Sequence, residues 1–233
     1  MIHQLDKPET RRVLFVSVHP DDETYGCGGT ILKHKAMGNQ IYWLNLTGGT
    51  LEHPYVFSKE QLDARDALIN KVIAQYGFTE HRTLNLPTQM LETVAMREII
   101  GGVDAYISKW KPQIIYLPNR SDVHTDHRIG FNAAYSATKS FRKPYIEQIL
   151  MYETLSETEF APALPECAFI PNTFVDITEF FNRKLEIIRM YDTELMPNPL
   201  PRSIHAVTGL AAYRGSRIGV QYAEAFSLIF NRK

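Results

Sequence analysis

Apolar and polar positions along this chain fall into blocks, and the length of each block decides what it predicts. Val13-Leu14-Phe15-Val16-Ser17-Val18 is short, rich in β-branched residues and almost continuously apolar, as a strand buried on both faces should be. Gly28 to Met37 predicts a first helix stopped by Gly38, and Ile41 to Leu46 a second strand. Ser58 followed three residues later by Gln61 is a capping-box signature. It opens a helix over Lys59 to Tyr76, apolar at Leu62, Leu68, Ile69, Val72 and Ile73 and ended by Gly77. Arg82 to Leu86 reads as a strand, Glu92 to Trp110 as a helix and Gln113 to Leu117 as a strand. A helix over Ile129 to Lys139 and a fifth strand over Gln148 to Tyr152 follow.

Strands that alternate with helices predict an α/β fold: a Rossmann-like, doubly wound, mostly parallel sheet in the order 3-2-1-4-5, helices on both faces. Beyond Glu153 the alternation weakens, and Pro162, Pro165 and Pro171 mark loops. Thr173 to Ile177 reads as a short strand and Glu179 to Leu195 as an amphipathic helix. Pro197, Pro199 and Pro201 then break the chain before a helix over Ser203 to Tyr213 and a final apolar run ending near Phe230. This C-terminal third is expected to be a lid and substrate-side extension of one domain, residues 1–233.

Composition narrows the function classes. The chain has 233 residues, 44% of them hydrophobic and 22% charged, which fits an ordinary globular protein. A net charge of −1 with interspersed signs argues against a nucleic-acid or anionic-membrane partner. No apolar run approaches the roughly 20 residues of a membrane helix. The polar start, Met1 to Arg12, lacks the apolar core of a signal peptide, and Cys27 and Cys167 read as two reduced thiols. A cytoplasmic location is expected.

The candidate chemistry lies at two strand ends. The first strand runs into His19-Pro20-Asp21-Asp22-Glu23, and the fourth into Asp122-Val123-His124-Thr125-Asp126-His127. In a 3-2-1-4-5 sheet those strands are neighbours, and the crevice between their carboxyl ends is the switch point where ligands bind. Two histidines and one carboxylate from this set make an open three-ligand metal site, with a second carboxylate left for proton transfer. Singly, each residue has a plainer use: Asp21 and Asp22 as helix caps, His19 as a bonded structural histidine, His124 and His127 as solvated loop residues. Their convergence favours the metal. His3, His34, His53, His81 and His205 show no partner pattern.

The combination of His-Pro-Asp-Asp-Glu, Gly-Gly-Thr-Ile and a later His-x-Asp-His resembles the PIG-L/LmbE-like family of N-deacetylases. Leu84-Asn85-Leu86-Pro87, Tyr152-Glu153, Tyr213-Arg214-Gly215 and Tyr222-Ala223-Glu224-Ala225-Phe226 extend the resemblance over nearly the whole chain. It implies a zinc-type hydrolase acting on an N-acetylglucosamine-like sugar. By position, His19, Asp22 and His127 would be the metal ligands and Asp21 the general base. His124 would be the acid or oxyanion partner, with Asp126 orienting it, and Arg65 would hold the sugar. Thr125 stands where the family usually has proline, and Asp122 where some members have a tyrosine; Asp122 would then contact substrate hydroxyls. Asn119, Arg120, Glu153 and Tyr191 are further sugar-contact candidates on the same edge. A His₂-carboxylate set also accepts Fe2+, Co2+ or Mn2+ besides Zn2+. Family members often assemble, which leaves a homo-oligomer open. The competing readings are a metal-dependent phosphoesterase and an inactive sugar-binding protein on the same scaffold.

Overall fold

A computed structural model describes residues 10–49 and 58–232. The polar start with His3 and the loop around Pro54 with His53 lie outside them. Among the described residues the strands are β1 (Arg12–Ser17), β2 (Gln40–Gly48), β3 (Glu80–Pro87), β4 (Ile114–Pro118), β5 (Gln148–Tyr152), β6 (Thr173–Asp176) and β7 (Ala223–Asn231). They form one sheet in the order β3-β2-β1-β4-β5-β7-β6. The first five run parallel in the expected 3-2-1-4-5 order, with Val13 of β1 opposite both Ile41 and Ile114.

The helices are α1 (Asp22–Ala36), α2 (Lys59–Tyr76), α3 (Met96–Trp110), α4 (Thr125–Ser136), α5 (Phe181–Ile188) and α6 (Ile204–Ser216). Alternation along β1 sorts them onto two faces. Leu14 and Val16 pack with Ile99, Val103 and Ile107 of α3 and Phe131 of α4. Val13 and Phe15 pack on the other side with Cys27 and Ile31 of α1, Val72 of α2 and Ile187 of α5. Each large apolar side chain buried this way contributes about 1.5–3 kcal/mol. The α2 capping box is present in full, and Gly77 closes the helix with a left-handed φ of 67°.

Several boundaries differ from expectation, each for a physical reason. α1 begins at Asp22 rather than Gly28, so Gly26, Gly28 and Gly29 are helical and do not form a turn. A Cβ on Gly26 would stand 2.3 Å from Tyr152, and one on Gly29 would stand 2.6 Å from Ile177. The glycines are there for close packing. α4 begins at Thr125, four residues before the expected Ile129, because the His124 ring caps it. Leu91–Thr93 is a separate 3-10 turn ahead of α3, and α5 ends at Ile188, well short of Leu195. The final apolar run is a strand. β7 lies antiparallel between β5 and β6, with Phe226 opposite both Tyr152 and Thr173. The C-terminal third, expected as a lid and substrate-side extension, therefore also adds two strands to the sheet.

Candidate active site

Both histidine motifs sit where the topology should bring them, at the carboxyl ends of β1 and β4. Asp22 opens α1, and its Oδ2 accepts the N–H groups of Val18 (3.0 Å) and His19 (2.8 Å). That leaves Oδ1 buried with no partner. Facing it, His127 in the first turn of α4 is fully buried, its Nε2 3.3 Å from Asp22 Oδ2 and likewise without a hydrogen bond. The other ring nitrogen, Nδ1, donates to Asp122 Oδ2 at 2.8 Å. Burial disfavours charge on His127, but Asp22 and Asp122 outweigh it and shift the ring upward. Burial alone would raise Asp22; His127 overcomes that and holds it below the usual carboxylate range.

His19, Asp22 and His127 present one ligand atom each within 4.8 Å of one another. The residues fit a metal ion. Two buried polar atoms without partners, Asp22 Oδ1 and His127 Nε2, cost several kcal/mol between them unless a ligand satisfies them, and a His-His-carboxylate set is metal chemistry. His19, His124 and Asp126 also lie within 4.8 Å of one another, but both oxygens of Asp126 are already engaged. Asp126 Oδ1 accepts Leu91 N–H (3.0 Å), and its Oδ2 accepts Gln89 N–H (2.6 Å) and faces His19 Nε2 (3.3 Å).

Asp21 is buried beside the ligand set and is not part of it. Burial lifts its carboxyl to about 6 against the pull of Arg202, whose Nη1 donates to Asp21 Oδ2 at 2.7 Å. His124 is half-buried at the cap of α4, its ring 4.6 Å from that of His19. Its Nδ1 accepts Asp126 N–H at 3.1 Å, so the proton of the neutral ring is on Nε2. Burial and the neighbouring rings of His19 and His127 hold His124 at about 4. The side chain of Asp126 does not orient His124 as expected. It braces His19 and the Gln89–Leu91 loop, and only its main-chain N–H meets His124.

Most of the side chains expected to contact a sugar are engaged within the protein. Asp122 is fully buried, its Oδ1 accepting from Asn119 Nδ2 (2.9 Å) and Thr158 Oγ1 (2.7 Å) and its Oδ2 from His127. It holds the His127 ring and has no oxygen left for substrate hydroxyls. Tyr191 is buried and donates to Glu23, Arg120 donates to the Glu166 carbonyl, and Glu153 pairs with both arms of Arg214. Arg65 is half-buried near the start of α2. Sequence reasoning missed Arg202, Thr158 and Glu157, whose segments carry no periodic or motif signal. Asp122 was among the candidates, but its contact with His127, five residues on, was not anticipated.

An open donor set at the switch point of a parallel sheet, with an unliganded carboxylate beside it, defines the hydrolytic metal-site class. The PIG-L family pattern, described as GlcNAc-PI de-N-acetylase, matches residues 14–138, and the chain belongs to that family. It is 25% identical to the diacetylchitobiose deacetylase of Thermococcus kodakarensis over 95% of this chain and 84% of that protein. Among solved structures it resembles the N,N'-diacetylchitobiose deacetylase of Pyrococcus horikoshii, with a TM-score of 0.73, 23% identity and 97% and 87% of the two chains covered. GalB, the 4-carboxy-2-hydroxymuconate hydratase of Pseudomonas putida KT2440, also has a TM-score of 0.73 at 17% identity, covering 96% of this chain and 98% of its own. The fold therefore does not choose the reaction; the site must. Among the described residues no helix is long and apolar enough to cross a membrane.

Proposed function

We propose that this chain, read as one domain over residues 1–233, is a metal-dependent hydrolase that removes the N-acetyl group from an N-acetylglucosamine-like sugar or its conjugate, releasing acetate. The observation that carries this reading is the pair of buried, unpartnered donors, Asp22 Oδ1 and His127 Nε2, with Asp21 standing beside them. His19, Asp22 and His127 are the proposed ligands, and zinc the proposed ion, with Fe2+, Co2+ and Mn2+ chemically admissible. When bound, such an ion supplies Lewis acidity that polarises an amide carbonyl and makes water a better nucleophile near neutral pH.

The remaining steps belong to the chain. Asp21, lifted to about 6, is matched to taking a proton from the attacking water near neutral pH. The Nε2–H of neutral His124 donates to the oxygen that gains charge as the carbonyl becomes tetrahedral. A ring held neutral is a poor proton source, so Asp21 returns its proton to the departing amine. Arg65 is assigned to the sugar by the family resemblance.

The test is acetate release across a panel of N-acetylglucosaminides, with metal counted on the same preparation. One ion per chain and release from at least one conjugate are expected; two ions would favour a phosphoesterase. Asp21→Ala should keep the ion and lose about 100-fold or more in turnover. Metal-replete protein that leaves every acetamido sugar untouched would overturn the reading.

A further inference from the structure

We infer that Arg202 is a positioning residue for Asp21: its guanidinium keeps that carboxylate off the ion while leaving one oxygen free, an inference that rests on the deacetylase reading above. Two aspartates stand side by side at the start of α1, and their chemistry alone does not assign one to the ion and the other to the proton. Asp22 is tethered through Oδ2 by two main-chain N–H groups. Asp21 occupies the N-cap position of α1 yet makes no side-chain cap bond, so the helix does not hold its carboxylate.

Arg202 holds it instead. The 2.7 Å contact from Nη1 to Asp21 Oδ2 spans 181 residues of chain. The guanidinium is fixed in turn from several sides. Its Nε donates to Ser156 Oγ (2.8 Å), and Nη1 also reaches Glu194 Oε2 (3.1 Å). Nη2 lies 3.8 Å from Glu157 Oε1, and the group sits 5.1 Å over the Tyr25 ring. At 7% exposure it has little room to follow Asp21 towards the crevice.

A carboxylate next in sequence to a metal ligand, and free to rotate, would chelate the same ion and close the position that catalysis needs open. Giving Oδ2 a charge-assisted partner prevents that rotation. Oδ1 has no hydrogen-bond partner among the described residues and is left for a water proton. A planar fork held by Ser156, Glu157 and Glu194 suits this task, and a lysine ammonium could not make the same set of bonds.

Cobalt-loaded protein gives a readout that does not depend on turnover. Arg202→Ala should keep one ion per chain but show a weaker visible absorption band, as Asp21 swings in and raises the coordination number. The double variant Asp21→Asn with Arg202→Ala should regain the parental spectrum. In turnover, Arg202→Ala should lower kcat by about 30-fold with KM within about threefold, and cost almost nothing further once Asp21 is Asn. Should the alanine variant fail to accumulate, Arg202→Lys should move the spectrum the same way by less. A parental cobalt spectrum in the Arg202 variant, or kcat losses that multiply with those of Asp21→Asn, would overturn the inference. If no acetamido sugar is turned over, the deacetylase reading fails, and the cobalt spectra still decide the role of Arg202.

Discussion

Asp122→Asn is the smallest change that should disable the ion site without touching a ligand. In the parent, Asp122 Oδ1 accepts from Asn119 Nδ2 and Thr158 Oγ1, and Oδ2 accepts the Nδ1–H of His127. An asparagine must turn one of these oxygens into NH₂. The two donors at the Oδ1 side favour keeping the oxygen there, which points NH₂ at His127 Nδ1. That nitrogen must then accept, so the ring's proton moves to Nε2, the atom that faces Asp22 at 3.3 Å. The imidazole would present a proton where an ion needs a lone pair. Loss of such an orienting partner costs about 10- to 100-fold in metal affinity, roughly 1.4–2.8 kcal/mol. Competition with a chromophoric chelator measures it on protein stripped of metal and refilled. Thr158→Val in the asparagine background removes one of the two donors that set the amide's direction, and should recover part of the affinity. An Asp122→Asn protein that binds its ion within about threefold of the parent would refute the tautomer argument.

Two further expectations concern stability. Gly29→Ala gains about 1 kcal/mol of helix propensity but drives a Cβ to 2.6 Å from the Ile177 Cβ, where overpacking costs about 1–3 kcal/mol, so urea denaturation should show net loss. Gly101→Ala in α3 meets nothing within 4 Å and should stabilise by about 0.5–1 kcal/mol; the same sign at both positions would refute the packing account. His34 is held at about 4 by burial, with Lys33 and Arg11 adding to it, and it bonds Asn39 and Tyr116. Below the ordinary value of about 6.5 the unfolded chain takes up a proton that the folded chain refuses, so stability falls with pH between those values. From pH 7 to 4.5 the parent should lose about 2 kcal/mol that His34→Gln does not, and parallel pH profiles for the two proteins would show the assignment to be wrong.

What could be read from the chain and what could not separate by the range of the interactions. The parallel order, the α2 capping box and the meeting of the His19 and His124 motifs follow from local periodicity together with the rule for open sheets. The start of α1 is not legible locally, because Gly26-Cys27-Gly28-Gly29 has turn propensity, whereas its helical state depends on Tyr152 and Ile177 far along the chain. Asp122 was misread for a related reason. An acidic loop residue reads as solvent-facing until Asn119, Thr158 and His127 are seen to close around it. Arg202 follows a proline-rich stretch with no pattern, and its partner is 181 residues away. The last apolar run was recognised as apolar, but nothing local says that it slots antiparallel between β5 and β6.

Several long-range contacts share one target, α1. Tyr152 on β5 closes against Gly26, Ile177 after β6 against Gly29, and the Tyr76 hydroxyl and Lys184 stem against Gly28. In a regular helix the Gly29 N–H meets the Tyr25 carbonyl. Here the buried carboxylate of Glu224 on β7 accepts the N–H groups of Gly29 (2.8 Å) and Thr30 (2.7 Å), while Lys184 Nζ donates to the Tyr25 carbonyl and to Glu224. A side-chain pair from the C-terminal third thus enters the hydrogen-bond ladder of α1 and fixes where along its axis the helix sits. Asp21 and Asp22 are at the first turn of that helix, so a shift of α1 moves a proposed ligand and the proposed base together relative to His127 on α4. Holding reacting groups in place to a fraction of an ångström is what such a site needs. The C-terminal third supplies that rigidity through Lys184, Glu224 and Arg202, which accounts for the Ala223-Glu224-Ala225-Phe226 motif without giving it any chemistry of its own.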